Sequence, residues 1–226
     1  MSRLPLFPLG TVLFPGGRLP LRLFEPRYLE LLSDLSRRPE GDRRFGVVAI
    51  RRGHEVGDER LPELESVGTA ALLTAAVRGV GGPTGVTFAI DSVGGQRMRI
   101  VEVIEDEKPY LVGEVAWLED APVAPEALAQ AAARAREAFD AFVLAATGQP
   151  PPRDAVADAI PPERLAYELA QAIRLPLEDR QAVLEADDPV QRLHTVARLL
   201  HRETHLFAGM RLTPVDRYGL TPPSTN

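Results

Sequence analysis

No cysteine occurs in the 226 residues, so disulfides, thiolate metal centres and a cysteine nucleophile are excluded. Lysine is almost as scarce. Lys108 stands alone in a basic complement that is otherwise arginine, so any mechanism that needs an ammonium group has a single candidate. Aromatic residues make up 6% of the chain, too few for the interleaved stacking series that holds single-stranded nucleic acid. A net charge of −6 supplies no global footprint for a polyanion. No apolar run reaches the length needed to span a bilayer. The apolar start is broken by prolines, carries one early arginine and lacks a small-residue cleavage site, which argues against a secretion signal and for a cytoplasmic protein. What is present, 45% hydrophobic and 26% charged residues, is the composition of a folded protein of one large or two small domains.

The opening Leu4-Pro-Leu-Phe-Pro-Leu-Gly-Thr-Val-Leu-Phe-Pro-Gly-Gly17 sets large apolar residues between prolines and glycines. Proline lacks the donor that a helix interior or a central strand requires, so the stretch predicts short edge strands broken by turns. Arg18 to Phe24 alternates, with Leu19, Leu21 and Leu23 on one strand face. Glu25-Pro26 opens a helix, Glu25 acting as a capping carboxylate and Tyr28, Leu31, Leu32 and Leu35 forming the apolar stripe. Pro39 to Asp42 reads as a loop, Phe45 to Ile50 as a buried strand and 52–65 as a polar excursion. Val67–Ala76 and Val86–Ile90 read as strands joined by the glycine-rich 79–85 connection, and Gly94-Gly95 predicts a hairpin turn. Beyond it, Met98, Ile100 and Ile104 are assigned to one face and Arg97, Arg99, Val101 and Val103 to the other. A last strand follows Pro109 and ends near Trp117. Short strands, regular turns and one helix suggest a small, closed or nearly closed β-barrel.

The character changes at residues 119–125. Leu128, Ala132, Ala135, Phe139, Phe142, Val143 and Ala146 form a helical stripe that Gly148 and the following prolines end. Pro161-Pro162 opens a second helix, with Leu165, Leu169, Ala172 and Ile173 inward, and Pro176 opens a short third. Asp188-Pro189 supplies a cap and first-turn proline for a fourth, running to about His205. The expected organisation is a barrel domain over 1–118, a linker over 119–125, a helical bundle over 126–210 and a frayed tail over 211–226.

The opening string, together with Leu23-Phe-Glu-Pro-Arg-Tyr28, Phe45-Gly-Val-Val-Ala-Ile50, Glu55-Val-Gly57, Val67-Gly-Thr-Ala70, Arg97-Met-Arg-Ile100 and Pro109-Tyr-Leu-Val-Gly-Glu-Val115, resembles the substrate-binding N-terminal domain of ATP-dependent Lon proteases. That domain also occurs as stand-alone bacterial proteins and in cereblon. The resemblance implies an α+β fold, a PUA-like β-barrel with one helix followed by a helical bundle. It also implies non-catalytic binding of polypeptide segments or unfolded proteins, with no cofactor and with delivery to a separate protease as a further role.

Several constellations invite chemistry. The 79–85 connection has no Gly-Lys-Ser/Thr ending and no helix behind it, so it is a hairpin connection and not a phosphate cradle. A serine–lysine dyad would have to use Lys108, which has no serine in its local motif. His194, His201 and His205 share one helical face and are the candidate metal ligands; against this, Glu203 projects to the far side, and the apolar stripe of Leu193, Val196, Ala197, Leu200 and Phe207 lies elsewhere. A solvated flank explains them without metal. Glu25 and Tyr28 are read as cap and core residue rather than an acid/base pair. Arg22, Phe24, Arg27, Arg97 and Arg99 are the candidate peptide-binding surface, with Arg18 extending a basic strip. Solvated arginines on an exposed sheet face are the simpler account of the same pattern. The rival classes are an RNA-binding PUA-like module and a small-molecule-binding protein or hydrolase.

Overall fold

The computed structural model describes residues 2–52, 63–81, 85–104, 108–151 and 160–210, with side chains as far as Phe207. Contacts divide the chain into two compact units, Met1–Glu119 and Asp120–Asn226. The described residues form a mixed α+β structure of seven strands and five α-helices. The first unit holds β1 (Ser2–Leu9), β2 (Arg18–Leu23), α1 (Pro26–Ser36), β3 (Arg44–Arg52), β4 (Glu63–Leu64), β5 (Val67–Val80), β6 (Val86–Ile104) and β7 (Val112–Trp117).

Despite its prolines, β1 is one strand of 8 residues and not a set of short edge pieces. It changes partner midway: Ser2–Pro5 run antiparallel to β7, and Leu6–Leu9 run parallel to β3. Leu6 N–H donates to Leu111 O at 2.7 Å. Successive amides of a strand point to opposite edges, so Pro5 turns its missing donor toward β3 before that pairing begins. Pro8 turns its own toward β7 after that pairing has ended. Each proline therefore sits where no ladder bond is lost. The pairings then run from β1 through β7, β6, β5 and β3 and return to β1, with β2 joined to β6 and β4 to β3.

Consecutive residues of these strands feed two different apolar clusters, as a period of two requires. Phe7, Val47, Leu19, Leu23 and the α1 stripe of Tyr28, Leu31, Leu32 and Leu35 belong to one. Leu6, Val48, Met98 and Val115 belong to the other. Phe7 stacks on Tyr28 with ring centroids 4.0 Å apart, which fixes α1 over the first cluster.

Gly94-Gly95 is not a turn, because β6 runs through it without a break for 19 residues. Glycine in a strand also marks close backbone approach, and that is its role here. A Cβ on Gly94 would fall on the carbonyl oxygen of Phe14. The Gly94 N–H donates to Gly17 O at 2.8 Å, and its carbonyl accepts from Gly16 N–H at 2.7 Å. The connection between β1 and β2 thus lies directly on β6. Register shifts against β5 at Thr69/Ala71 and against β7 at Ile100/Glu102 bend the strand and increase its twist. The second shift also resets the alternation. Val103 joins Met98 and Ile100 at one cluster while Ile104 packs on the other, which corrects the expected division of these residues. Residues 39–42 contain a 3-10 turn, Glu40–Asp42, instead of a plain loop. Most of the 52–65 excursion, with its Glu55–Gly57 motif, lies outside the described residues, as do 82–84 and the tail 211–226.

The second unit comprises α2 (Pro125–Thr147), α3 (Pro162–Ala172), α4 (Leu177–Glu185) and α5 (Pro189–Met210). The α2 stripe is buried as its spacing predicts, and the helix closes on Gly148 at φ 71°. Asp188 Oδ1 accepts the Gln191 N–H at 2.8 Å and so caps α5. That helix continues to Met210, past the expected end. On α3 the buried surface is wider than a single stripe, with Ala166, Tyr167 and Ala170 added to Leu165 and Leu169, because α2, α4 and α5 all pack against it. The residue that periodicity does not reveal is Arg192, whose side chain is 0% exposed. Its Nη2 and Nη1 donate to the two carboxylate oxygens of Asp120 at 2.6 and 3.2 Å, and Nη2 also reaches Ala186 O at 3.3 Å. The guanidinium stands 4.5 Å from the ring centroid of Tyr167.

Three substitutions test these assignments. Gly94→Ala is expected to destabilise the chain by about 1–3 kcal/mol in urea unfolding, the usual cost of overpacking. Gly41→Ala has open space around the new methyl and is expected to stay within about 0.5 kcal/mol of the parent. Asp120→Asn, which strands the Arg192 charge, is expected to cost about 2–3 kcal/mol. That is less than for a fully enclosed pair, since 38% of the Asp120 side chain remains in solvent.

Candidate functional site

Among the candidate surface residues, Arg22 lies on β2 opposite Ala89 of β6 and is exposed. Its guanidinium extends to the end of β5, where a Cβ on Gly81 would stand 3.7 Å from Nη2. Phe24 is half-buried in the link to α1. Arg27 is held by Glu25, with Nε and Nη2 at 2.9 and 2.8 Å from Oε2, and its guanidinium stands 4.7 Å from the Tyr28 ring centroid. Glu25 makes no side-chain cap hydrogen bond at the start of α1, which corrects the role expected for it. A charge-assisted bond to a guanidinium two residues away takes its carboxylate instead.

The other two candidates do not join this corner. Arg97 is buried at 5% exposure, paired with Thr69 across the β5 ladder. Arg99 is exposed between Val67 and Ala116. It lies some 30 Å of strand from the Arg22 register at ~3.3 Å per residue. Arg18 faces Asp91 at 3.6 Å. A continuous basic strip is therefore not assembled, and Arg22, Phe24 and Arg27 remain grouped at the β2–α1 corner.

That corner continues into an arm that the sequence did not signal. β2, β6 and the distal half of β5 form three antiparallel strands in the order β5–β6–β2. The pairing of β3 with β5 covers only Thr69 to Leu72, so from Thr74 onward β5 has β6 as its one strand partner among the described residues.

In the second unit, His194, His201 and His205 are all exposed on α5. His194 and His201 line a groove of about 450 Å³ with Arg134, Glu137 and Arg198, and His205 stands outside it. Among the described residues no group of three or more histidines and carboxylates is placed to hold a metal ion. Leu193, Val196 and Leu200 are buried on the inner side of the helix, and Glu203 pairs with Arg202 at 2.7 Å.

Lys108 and Tyr110 converge on Asp34 of α1. Lys108 Nζ and the Tyr110 hydroxyl donate to Oδ2 at 3.0 and 2.7 Å, and Arg37 donates to Oδ1 at 3.0 Å. The Tyr110 hydrogen bond, followed by that of Lys108, holds the Asp34 carboxyl below the usual carboxylate range. Burial, and then the bond to Asp34, push the Tyr110 phenol above its ordinary value. The cluster staples α1 to the segment that leads into β7. Because the folded-state value for Asp34 lies below the unfolded one, its stabilisation is complete above about pH 4 and is lost as pH falls through the folded value. Tyr110→Phe is expected to cost about 1.5–2 kcal/mol at pH 7 and to flatten the loss of stability on acidification below about pH 4, as read by urea unfolding across pH.

The fold finds counterparts among known proteins. A family profile described as the ATP-dependent protease La (LON) substrate-binding domain matches residues 3–202. Lon protease 2 of Myxococcus xanthus is 31% identical over 213 residues, covering 90% of this chain and 24% of that protein. Lon protease 1 of Herpetosiphon aurantiacus is 31% identical over 208 residues, with the same shares of each. The chain thus spans about a quarter of the length of these relatives. In the crystal structure of a Lon N-terminal domain protein from Xanthomonas campestris, the match covers 88% of this chain and 98% of that one, at 29% identity and a TM-score of 0.56. The N-terminal domain of a Mycobacterium avium complex Lon protease shares the fold at a TM-score of 0.61 and 20% identity, covering 90% of this chain and 98% of that one. On the breadth of the profile match, which extends through both units, the chain belongs to the LON substrate-binding domain family.

Proposed function

We propose that this chain recognises polypeptide and holds it without chemical change. The observation that carries the reading is the match of residues 3–202 to a substrate-binding domain, in relatives that are proteases by name and so act on polypeptide. In this reading the circuit of strands from β1 back to β1 is a closed PUA-like barrel, and the helices of the second unit are a bundle. The chain supplies recognition alone. It has no phosphate-cradling Gly-Lys-Ser/Thr sequence, and its one lysine is committed to Asp34 rather than to activating a hydroxyl. Clients are apolar or extended segments, held with modest affinity and broad specificity in the cytoplasm, and passed to a separate protease.

The purified chain is expected to bind fluorescein-labelled, reduced and carboxymethylated α-lactalbumin with roughly micromolar affinity, to ignore the native form of that protein, and to leave the probe uncut. Absence of binding, or fragments of the probe, would overturn the proposal. Preference for RNA over the probe, falling steeply with salt, would replace it with the nucleic-acid reading.

A further inference from the structure

We propose that the outer edge of β5, from Thr74 to Val80, seats the bound polypeptide, which joins the sheet there as an additional strand. The inference rests on the polypeptide-recognition reading above and adds to it a place, a backbone geometry and a side-chain preference.

The hydrogen-bonding sense of the edge follows from the ladder. Gly81 N–H donates to Gly85 O at 3.3 Å where the β5–β6 ladder begins. Antiparallel pairs alternate between those that exchange hydrogen bonds and those that do not. Gly79, Val77 and Ala75 therefore turn their amides to Thr87, Ala89 and Asp91 of β6, while Ala76, Arg78 and Val80 turn theirs outward. The other side of β6 agrees. Gly94 N–H donates to Gly17 O, which assigns Ser92, Ile90 and Phe88 to β2 and leaves Asp91, Ala89 and Thr87 for β5.

The two outer edges of the arm are treated differently by the sequence. On β2 the outward positions are Arg18, Pro20 and Arg22, a residue without a donor between two charges. Proline and charge are the usual means by which a sheet edge is closed to further strands. On β5 the outward positions are Ala76, Arg78 and Val80, with every donor in place. Apolar side chains are also left in solvent there: Val77 is 66% and Val80 91% exposed. A row of alternating N–H and C=O groups is complementary to one kind of occupant, a second extended backbone.

The flanking side chains say which sequences fit. Ala75, Ala76 and Gly79 are small and leave room beside β5 for larger apolar residues of the incoming strand. Arg78 lies on one face of the arm, and the Arg22 guanidinium reaches Gly81 across the other. The preferred segment is therefore extended and apolar at alternate positions, with an acidic residue near the Val80 end.

The test uses the full chain and the carboxymethylated α-lactalbumin probe. Ala76→Pro removes an outward donor and spares the β5–β6 ladder. It is expected to weaken probe binding about tenfold with an unchanged melting temperature. Val77→Pro, whose donor serves the ladder, is expected to lower the melting temperature instead. As a readout independent of any variant, the probe is expected to slow amide exchange at Ala76, Arg78 and Val80 of the parent chain. Undiminished binding by a folded Ala76→Pro, or no added protection at those amides while the probe is bound, would overturn this inference and leave polypeptide recognition standing. A parent chain that does not bind the probe at all sinks both. A dimer of the parent that Ala76→Pro splits would show a second copy as the occupant and would equally overturn it.

Discussion

Strand β6 divides its backbone amides between neighbours, odd-numbered residues of its first half to β5 and even-numbered ones to β2, before turning its second half to β7. With β5 carrying β3, and β3 carrying β1, nearly every strand of the first unit is positioned by reference to this one. A strand so long twists by itself, but a sharp local bend needs an irregularity in its ladder. The bulges supply the bend, and Gly94 supplies the point where the Phe14–Gly17 connection is pinned to the strand. Without a side chain at Gly94, two backbones approach closely enough for β2 to be laid down in register. With one, Phe14 has to retreat and β2 moves with it.

Local periodicity made much of this legible. The Leu19, Leu21, Leu23 alternation, the Tyr28 to Leu35 stripe and the α2 stripe each report a face buried by neighbouring elements, and each was readable from spacing alone. What escaped depends on partners distant in sequence. Gly94-Gly95 carries a strong turn signal, and only the presence of Phe14 across the sheet makes it a mid-strand contact. Arg97 reads as a surface arginine until Thr69 and its neighbours enclose it. Arg192 reads as one more charge on a long helix, because Asp120 lies far back in the chain. The β5 edge was illegible for a different reason. Among the described residues its openness is a matter of where β3 stops pairing, which spacing along β5 does not show.

The two units manage polar groups in contrasting ways. In the second, a guanidinium is fully enclosed and answered by a bidentate carboxylate and an aromatic face, an arrangement that contributes specificity of packing at considerable desolvation cost. In the first, the corresponding staple at Asp34 stays close to the surface, where three donors share one carboxylate. Helix α1 is tied down at that end by polar bonds and at the other by the Phe7–Tyr28 stack. The β2–α1 corner with Arg22 and Phe24 is thus carried on a helix fixed at both ends.

Lys108 also gives the chain an unusual reporter. Among its side chains a single amine is open to acylating reagents, and that amine is ion-paired with Asp34. Opening of the pair would raise its reactivity, so a covalent tag on this side chain would report on the α1 corner. Amine-directed crosslinkers, by the same token, would capture few of this chain's contacts even where a partner is bound.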